Sequence, residues 1–249
     1  MRITTSAAAL FAAALLAACN ASGPTPLGDG TPSLKTAQTA LASGVPDLAF
    51  QICSKLILTS PRSPDVLVCN GNALTGLGRN VEAAASFSTA LQYVPNFPDA
   101  LIGIGRLRLT TDPATAEQMF MNALKQKPRD SVALNNLGIA RDLQGRHKDA
   151  QMAYAEAIAA APDARAPQVN LALSLALSGR AAEATRMLQP LADEPNATVR
   201  ERHDYAAALA MAGRSDQAAR YLQPELTGTQ LDTALTGYRA MPIATPSSR

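Results

Sequence analysis

Tryptophan is absent, and aromatic residues make up only 4% of the 249 positions. A core of stacked rings is therefore excluded. The apolar share of 47% falls largely to alanine and leucine, both strong helix formers. Runs rich in Val, Ile and Thr, which favour strands, are missing. Histidine occurs twice, as His147 and His203, far apart and with no cysteine nearby. A metal site needs clustered ligands at fixed spacing, so no metal is expected and both histidines read as surface residues. Charge of one sign is nowhere concentrated: 22 Lys and Arg stand against 20 Asp and Glu. A nucleic-acid binder would show a basic stripe, so that partner class is excluded. No nucleophile elbow, phosphate loop or zinc-peptidase helix occurs, and no acidic pair recurs. The sequence thus points away from an enzyme, a cofactor and a small-molecule substrate.

What is present begins with MRITTSAAALFAAALLAAC. One basic residue, Arg2, precedes an apolar run from Ala7 to Ala18 that is too short to span a bilayer but suits a secretory signal. It ends in Leu16-Ala17-Ala18-Cys19. Small residues let a chain lie extended in a peptidase cleft, and a cysteine just after them offers a thiol for a diacylglyceryl group. This resembles the bacterial lipoprotein box, which implies removal of residues 1–18, a lipid on Cys19 and a membrane anchor. Asn20 in place of Asp implies, by enterobacterial sorting, the outer membrane. Residues 19–32 are rich in Gly, Pro, Ser and Thr and read as a flexible lipidated tether. Residues 242–249 read as a disordered tail.

Residues 33–241 repeat themselves. Prolines fall at 61, 95, 128, 162 and 195, and a step of about 34 residues is the period of tetratricopeptide repeats. The unit from Ser131 carries Leu134, Leu137-Gly138, Gly145, Ala150, Tyr154, Ala157 and Pro162. Small Gly138 and Ala150 let two helices approach closely, and Gly145 supplies the positive φ that ends the first helix. Tyr154 fills the space between helices, and Pro162 stops the second. The series recurs from Pro64, Pro98, Arg165 and Val199, with a weaker first unit at Ala37, Gly44, Ala49 and Cys53. The third unit is one residue short; there Asp112 can cap the second helix and Pro113 can open it. The spacing predicts an all-α solenoid of about six helix-turn-helix repeats, with a closing helix over 229–238.

Cys53 and Cys69 are the thiols left once Cys19 is acylated. The second helix of one unit neighbours the first helix of the next, so a bridge is sterically open. Two buried thiols acting as small apolar residues fit the sequence equally, because a Cα separation cannot be read from it.

First helices line the concave side of such a stack. Its groove positions include Val68, Asn72, Ile102, Arg106, Asn135, Ile139, Val169, Leu173 and His203, a mostly aliphatic set that suits an extended or helical peptide of a protein partner. Some of these residues are expected to pack against adjacent helices instead. The fifth position of each unit carries no lysine, which departs from the carboxylate-clamp pattern of tetratricopeptide proteins that hold chaperone tails.

The stretches NNLGIARDLQGRHKDAQMAYAEAIAAAP (135–162), NLALSLALSGRAAEATRMLQPLADEP (170–195) and RERHDYAAALAMAGRSDQAARYL (200–222) resemble the TadD-type lipoproteins of the tight-adherence machinery that assembles Flp pili. The resemblance implies a pilotin-like factor on the periplasmic side of the outer membrane, with a secretin subunit or another pilus-assembly protein as its partner. Other tetratricopeptide lipoproteins act as adaptors in outer-membrane-protein or envelope assembly, and the same features fit that role.

Overall fold

The computed structural model describes residues 33–240. The expected signal segment, Cys19, the tether and the tail lie outside the described residues. Within them the chain forms thirteen helices and no strand. Six hairpins come first: α1 (Leu34–Ala42) with α2 (Pro46–Thr59), α3 (Pro64–Gly76) with α4 (Asn80–Tyr93), and α5 (Pro98–Arg108) with α6 (Pro113–Gln126). Then follow α7 (Ser131–Leu143) with α8 (His147–Ala160), α9 (Arg165–Leu177) with α10 (Ala181–Ala192), and α11 (Val199–Met211) with α12 (Ser215–Leu222). The last helix is α13 (Thr229–Arg239).

Local chemistry sets the helix limits. Four first helices open on side-chain caps: Ser33 accepts from the Thr36 amide, Ser63 from the Val66 amide, Asp130 from the Ala133 amide, and Thr198 with Glu201 forms a reciprocal capping box, each satisfying orphan first-turn donors. Gly145 ends α7 at φ 73°, and the Arg146 amide bonds back to the Arg141 carbonyl at 2.9 Å, which closes a Schellman turn. The third hairpin has no such glycine. Its turn instead uses Asp112, whose carboxylate accepts from the Thr115 amide at 3.0 Å, with Pro113 as the first helical residue. Second helices stop where a proline follows: Ser60, Val94, Lys127 and Ala161 precede Pro61, Pro95, Pro128 and Pro162, and all four leave helical geometry. The proline ring disfavours the α region in the residue before it.

One buried slot recurs in every second helix. Cys53, Phe87, Phe120, Tyr154, Leu188 and Leu222 occupy it, and all are fully enclosed. The facing position of the first helix is Ala37, Gly71, Gly105, Gly138, Ala172 and Ala206. Size is conserved across the pair. Where the slot holds a ring the partner is glycine, and a Cβ there would lie 2.4–2.5 Å from a ring carbon. Where the slot holds leucine or cysteine the partner is alanine. Cores tolerate substitution best when summed volume is kept, and the chain applies that rule in the five hairpins after the first.

In the first hairpin the slot residue Cys53 is joined to Cys69 of α3, with Cα atoms 6.1 Å apart. A covalent bond thus stands where other repeats place a large side chain. At the far end α13 lays Leu231, Ala234, Leu235 and Tyr238 on the final core, and it runs one residue beyond the expected closing helix.

Candidate functional site

The concave face follows from which helices meet. α3 approaches α5, α5 approaches α7, α7 approaches α9, and α9 approaches α11. Among the described residues, no second helix of a hairpin comes within 8 Å of the second helix of the next. The first helices therefore form the short inner arc and the second helices the long outer one.

Two hollows open along the inner arc. One, of about 610 Å³, lies between the first hairpin and α3–α5, where Asn72, Thr75 and Arg106 face Leu41 and Pro46. The other, of about 420 Å³, is lined by Asn135 and Ile139 of α7, Val169 and Asn170 of α9, and Arg200 and Asp204 of α11. The Asn170 amide donates to Asn135 Oδ1 at 2.9 Å across the seam between α7 and α9. Asp204 Oδ2 is enclosed and receives no hydrogen bond from the described residues; the nearest cation, Arg200 Nε, is 3.8 Å away. Burial pushes the Asp204 carboxyl above its ordinary value, against the opposing pull of Arg200 and His203.

The structure brings Asn72 and Arg106 together in the first hollow, and Asn135, Ile139 and Val169 in the second. Val68 and Ile102, the equivalents of Asn135, line neither of these hollows and are buried in the cores of their hairpins. Leu173 packs on the last core. His203 turns towards the end of the stack, with Nδ1 3.4 Å from the Tyr238 hydroxyl of α13 and Nε2 3.6 Å from Glu225. Asn170 and Asp204 were not among the sequence-derived groove positions. They sit one residue after the fifth position, where Asn136 of the fourth unit is polar as well.

Two buried polar clusters hold the middle repeats in register. Asp142 accepts from His147 Nδ1 and from Ser174 Oγ at 2.8 Å each, and from the Tyr154 hydroxyl at 2.9 Å. His147 is consequently not the surface residue its sequence position suggested: only 13% of its side chain is exposed. Burial, together with Asp142, pushes the Tyr154 hydroxyl far above its ordinary value. This Ser–His–Asp group is no nucleophile relay. Ser174 Oγ donates to the carboxylate rather than to the imidazole, and Ser174 is fully buried, whereas the relay needs the hydroxyl on the imidazole and open to substrate. The second cluster centres on buried Glu117 of α6. It accepts from Arg141 Nε at 3.1 Å, from Gln144 Nε2 at 3.0 Å and from Arg146. Burial alone would raise this carboxyl; the Gln144, Arg141 and Arg146 donors outweigh it and hold it below its ordinary value.

Among the described residues no group of three or more His, Cys, Asp or Glu side chains is placed to hold a metal, and no helix is long and apolar enough to cross a membrane.

No family model matches the chain. It is 30% identical over 112 residues to the uncharacterised protein y4yS of Sinorhizobium fredii (strain NBRC 101917 / NGR234). That alignment covers 45% of this chain and 62% of y4yS, so the chain spans less than two thirds of that relative. Solved structures of similar shape include TTC0263, a tetratricopeptide protein of Thermus thermophilus, with a TM-score of 0.63, 20% identity, and 71% of this chain and 96% of that one covered. PilW, described as a widely conserved type IV pilus biogenesis factor, gives a TM-score of 0.69 and 18% identity over 81% of this chain and 96% of its own. PilF of Pseudomonas aeruginosa gives a TM-score of 0.64 and 15% identity over 83% of this chain and 95% of its own. Identities this low speak to the fold alone. With six stacked hairpins, short-arc first helices and a closing helix, the chain has the tetratricopeptide-repeat fold.

Proposed function

We propose that this protein is a lipid-anchored interaction scaffold that acts as a pilotin-like factor in pilus assembly, in the manner of the TadD-type lipoproteins. Its concave face takes a segment of a secretin subunit or of another pilus-assembly protein. The lipid on Cys19 holds the scaffold to the outer membrane, facing the periplasm. The observation that carries the reading is the inner hollow at Asn135, Ile139, Asn170 and Asp204. It pairs an aliphatic floor with side-chain amides and an under-used carboxylate, the features that fix an extended peptide by side-chain pockets and hydrogen bonds. The likeness of the fold to two pilus factors, PilW and PilF, supports the same direction, as does the lipoprotein-box sequence ending at Cys19.

The test has two arms. Affinity capture of the full-length protein from its own cells brings down the secretin subunit, and Ile139→Asp in the hollow abolishes that capture while circular dichroism stays unchanged. Cys19→Ser leaves capture in detergent extracts intact but removes surface pili. Normal piliation in the Cys19→Ser strain, or undiminished capture by the Ile139→Asp protein, refutes the proposal.

A further inference from the structure

Four of the hairpin turns share the dipeptide Gly-Arg: Gly78-Arg79, Gly145-Arg146, Gly179-Arg180 and Gly213-Arg214. In three of them the arginine is neutralised three residues later by an acid on the same turn. Arg79 grips Glu82 through two parallel bonds of 2.8 and 2.6 Å. Arg180 grips Glu183 in the same way at 2.7 and 2.6 Å. Arg146 reaches Asp149 at 3.4 Å and also holds Glu117. The fourth turn breaks the pattern. Residue 217 is glutamine, so Arg214 meets a neutral amide oxygen, and among the described residues no carboxylate pairs with it.

That exception stands at a hollow of about 340 Å³ lined by Gln189 of α10, Tyr205 of α11, Arg214, and Gln217, Arg220 and Tyr221 of α12. The Tyr205 and Tyr221 rings meet edge to face, with centroids 4.7 Å apart, and give the hollow a stiff wall. None of these lining residues is a carboxylate. Asp193 is close by, but its Oδ1 accepts from the Tyr221 hydroxyl; Asp216 is exposed in the first turn of α12. The hollow thus presents two guanidinium groups and two side-chain amides.

We propose that this hollow binds a Glu or Asp side chain of an acidic segment supplied by a protein partner, in the place that Glu82 and Glu183 occupy in their own turns. The chain itself gives the template for the ligand, because the same arginine in the same turn takes a carboxylate through a fork-to-fork pair. The site draws on α10, α12, the α11–α12 turn and Tyr205 of α11, whereas the concave hollow is lined by other residues, on α7, α9 and the start of α11. It is a second contact surface that does not depend on the pilus reading.

The test uses the full-length protein and a blocked, fluorescent oligoglutamate peptide, with oligoglutamine, inorganic phosphate and phosphatidylglycerol vesicles as comparison probes. Oligoglutamate binds and oligoglutamine does not. Gln217→Glu supplies the missing intramolecular partner and weakens oligoglutamate binding by about tenfold or more, the worth of one charge-assisted pair. Gln223→Glu, exposed at the end of the same helix, makes the same change in net charge and leaves binding unaltered. Gln217→Glu is compatible with the fold because two other turns carry that pair. Equal affinity of wild type and Gln217→Glu, an equal loss in Gln223→Glu, or binding confined to phosphate or to vesicles overturns the proposal.

Discussion

The size-matched slot invites a double-mutant cycle at Gly105 and Phe120. A Cβ on Gly105 would lie 2.5 Å from Phe120 Cε1 and 2.8 Å from Cζ, about an ångström inside ordinary carbon contact. Gly105→Ala therefore forces the ring against a packed core. Overpacking of this kind costs about 1–3 kcal/mol, and the better helix propensity of alanine returns up to about 1 kcal/mol. Phe120→Leu alone leaves a void beside Gly105 and costs about 1–3 kcal/mol. Together the two substitutions recreate the Ala172–Leu188 pair that the fifth repeat already uses. The methyl group fills the void and the overlap disappears. The double variant should be more stable than the sum of the single effects by about 2 kcal/mol. Urea unfolding followed by circular dichroism, with the four m-values compared, measures the coupling. Additivity within about 0.5 kcal/mol would refute the idea that volume is conserved pair by pair.

Other outcomes follow from features of the same stack. The double substitution Cys53→Ala with Cys69→Ala opens a cross-link of sequence separation 16, worth about 3 kcal/mol in loop entropy. Because among the described residues α1 and α2 stand at one end of the stack and pack on α3 alone, the loss should stay local. Hydrogen exchange in α1 and α2 should quicken on the order of a hundredfold while α7 and α8 stay protected; unchanged exchange in α1 and α2 would count against the staple. Glu117→Gln should cost about 2 kcal/mol at neutral pH, since two arginines lose a shared buried acceptor. Its carboxyl is held below the ordinary value of 4.5, so the network contributes fully above that pH and is lost as pH falls through the lower folded-state value. The gap between wild type and Glu117→Gln in urea midpoint should therefore close as the solution is acidified, and a gap independent of pH would contradict this.

The repeat architecture was legible because each unit carries its own punctuation. Proline after the second helix, glycine after the first and a capping Asp or Ser before the next are local events, and the sequence states them locally. Even the irregular third turn could be read, since Asp112-Pro113 is a helix start in its own right. The depth of a residue along the concave stripe was not legible. Periodicity gives the face of a helix but not its rotation against the next hairpin, and that rotation buries Val68 and Ile102 while Asn135 stays at the edge of a hollow. Long-range polar partners were hidden for a similar reason. Nothing near His147 in sequence announces Ser174, and nothing near Glu117 announces Arg141 and Arg146, because those pairings form only when separate hairpins stack.

The separation of the outer helices has a mechanical result. Flexing the array along its length works against the joints that each first helix makes with the helices before and after it, because among the described residues no joint links one outer helix directly to the next. The molecule is built like a leaf spring clamped along one edge. A guest seated in the groove sets the pitch of the whole coil by prying at those joints, and it does so without tearing any joint between outer helices.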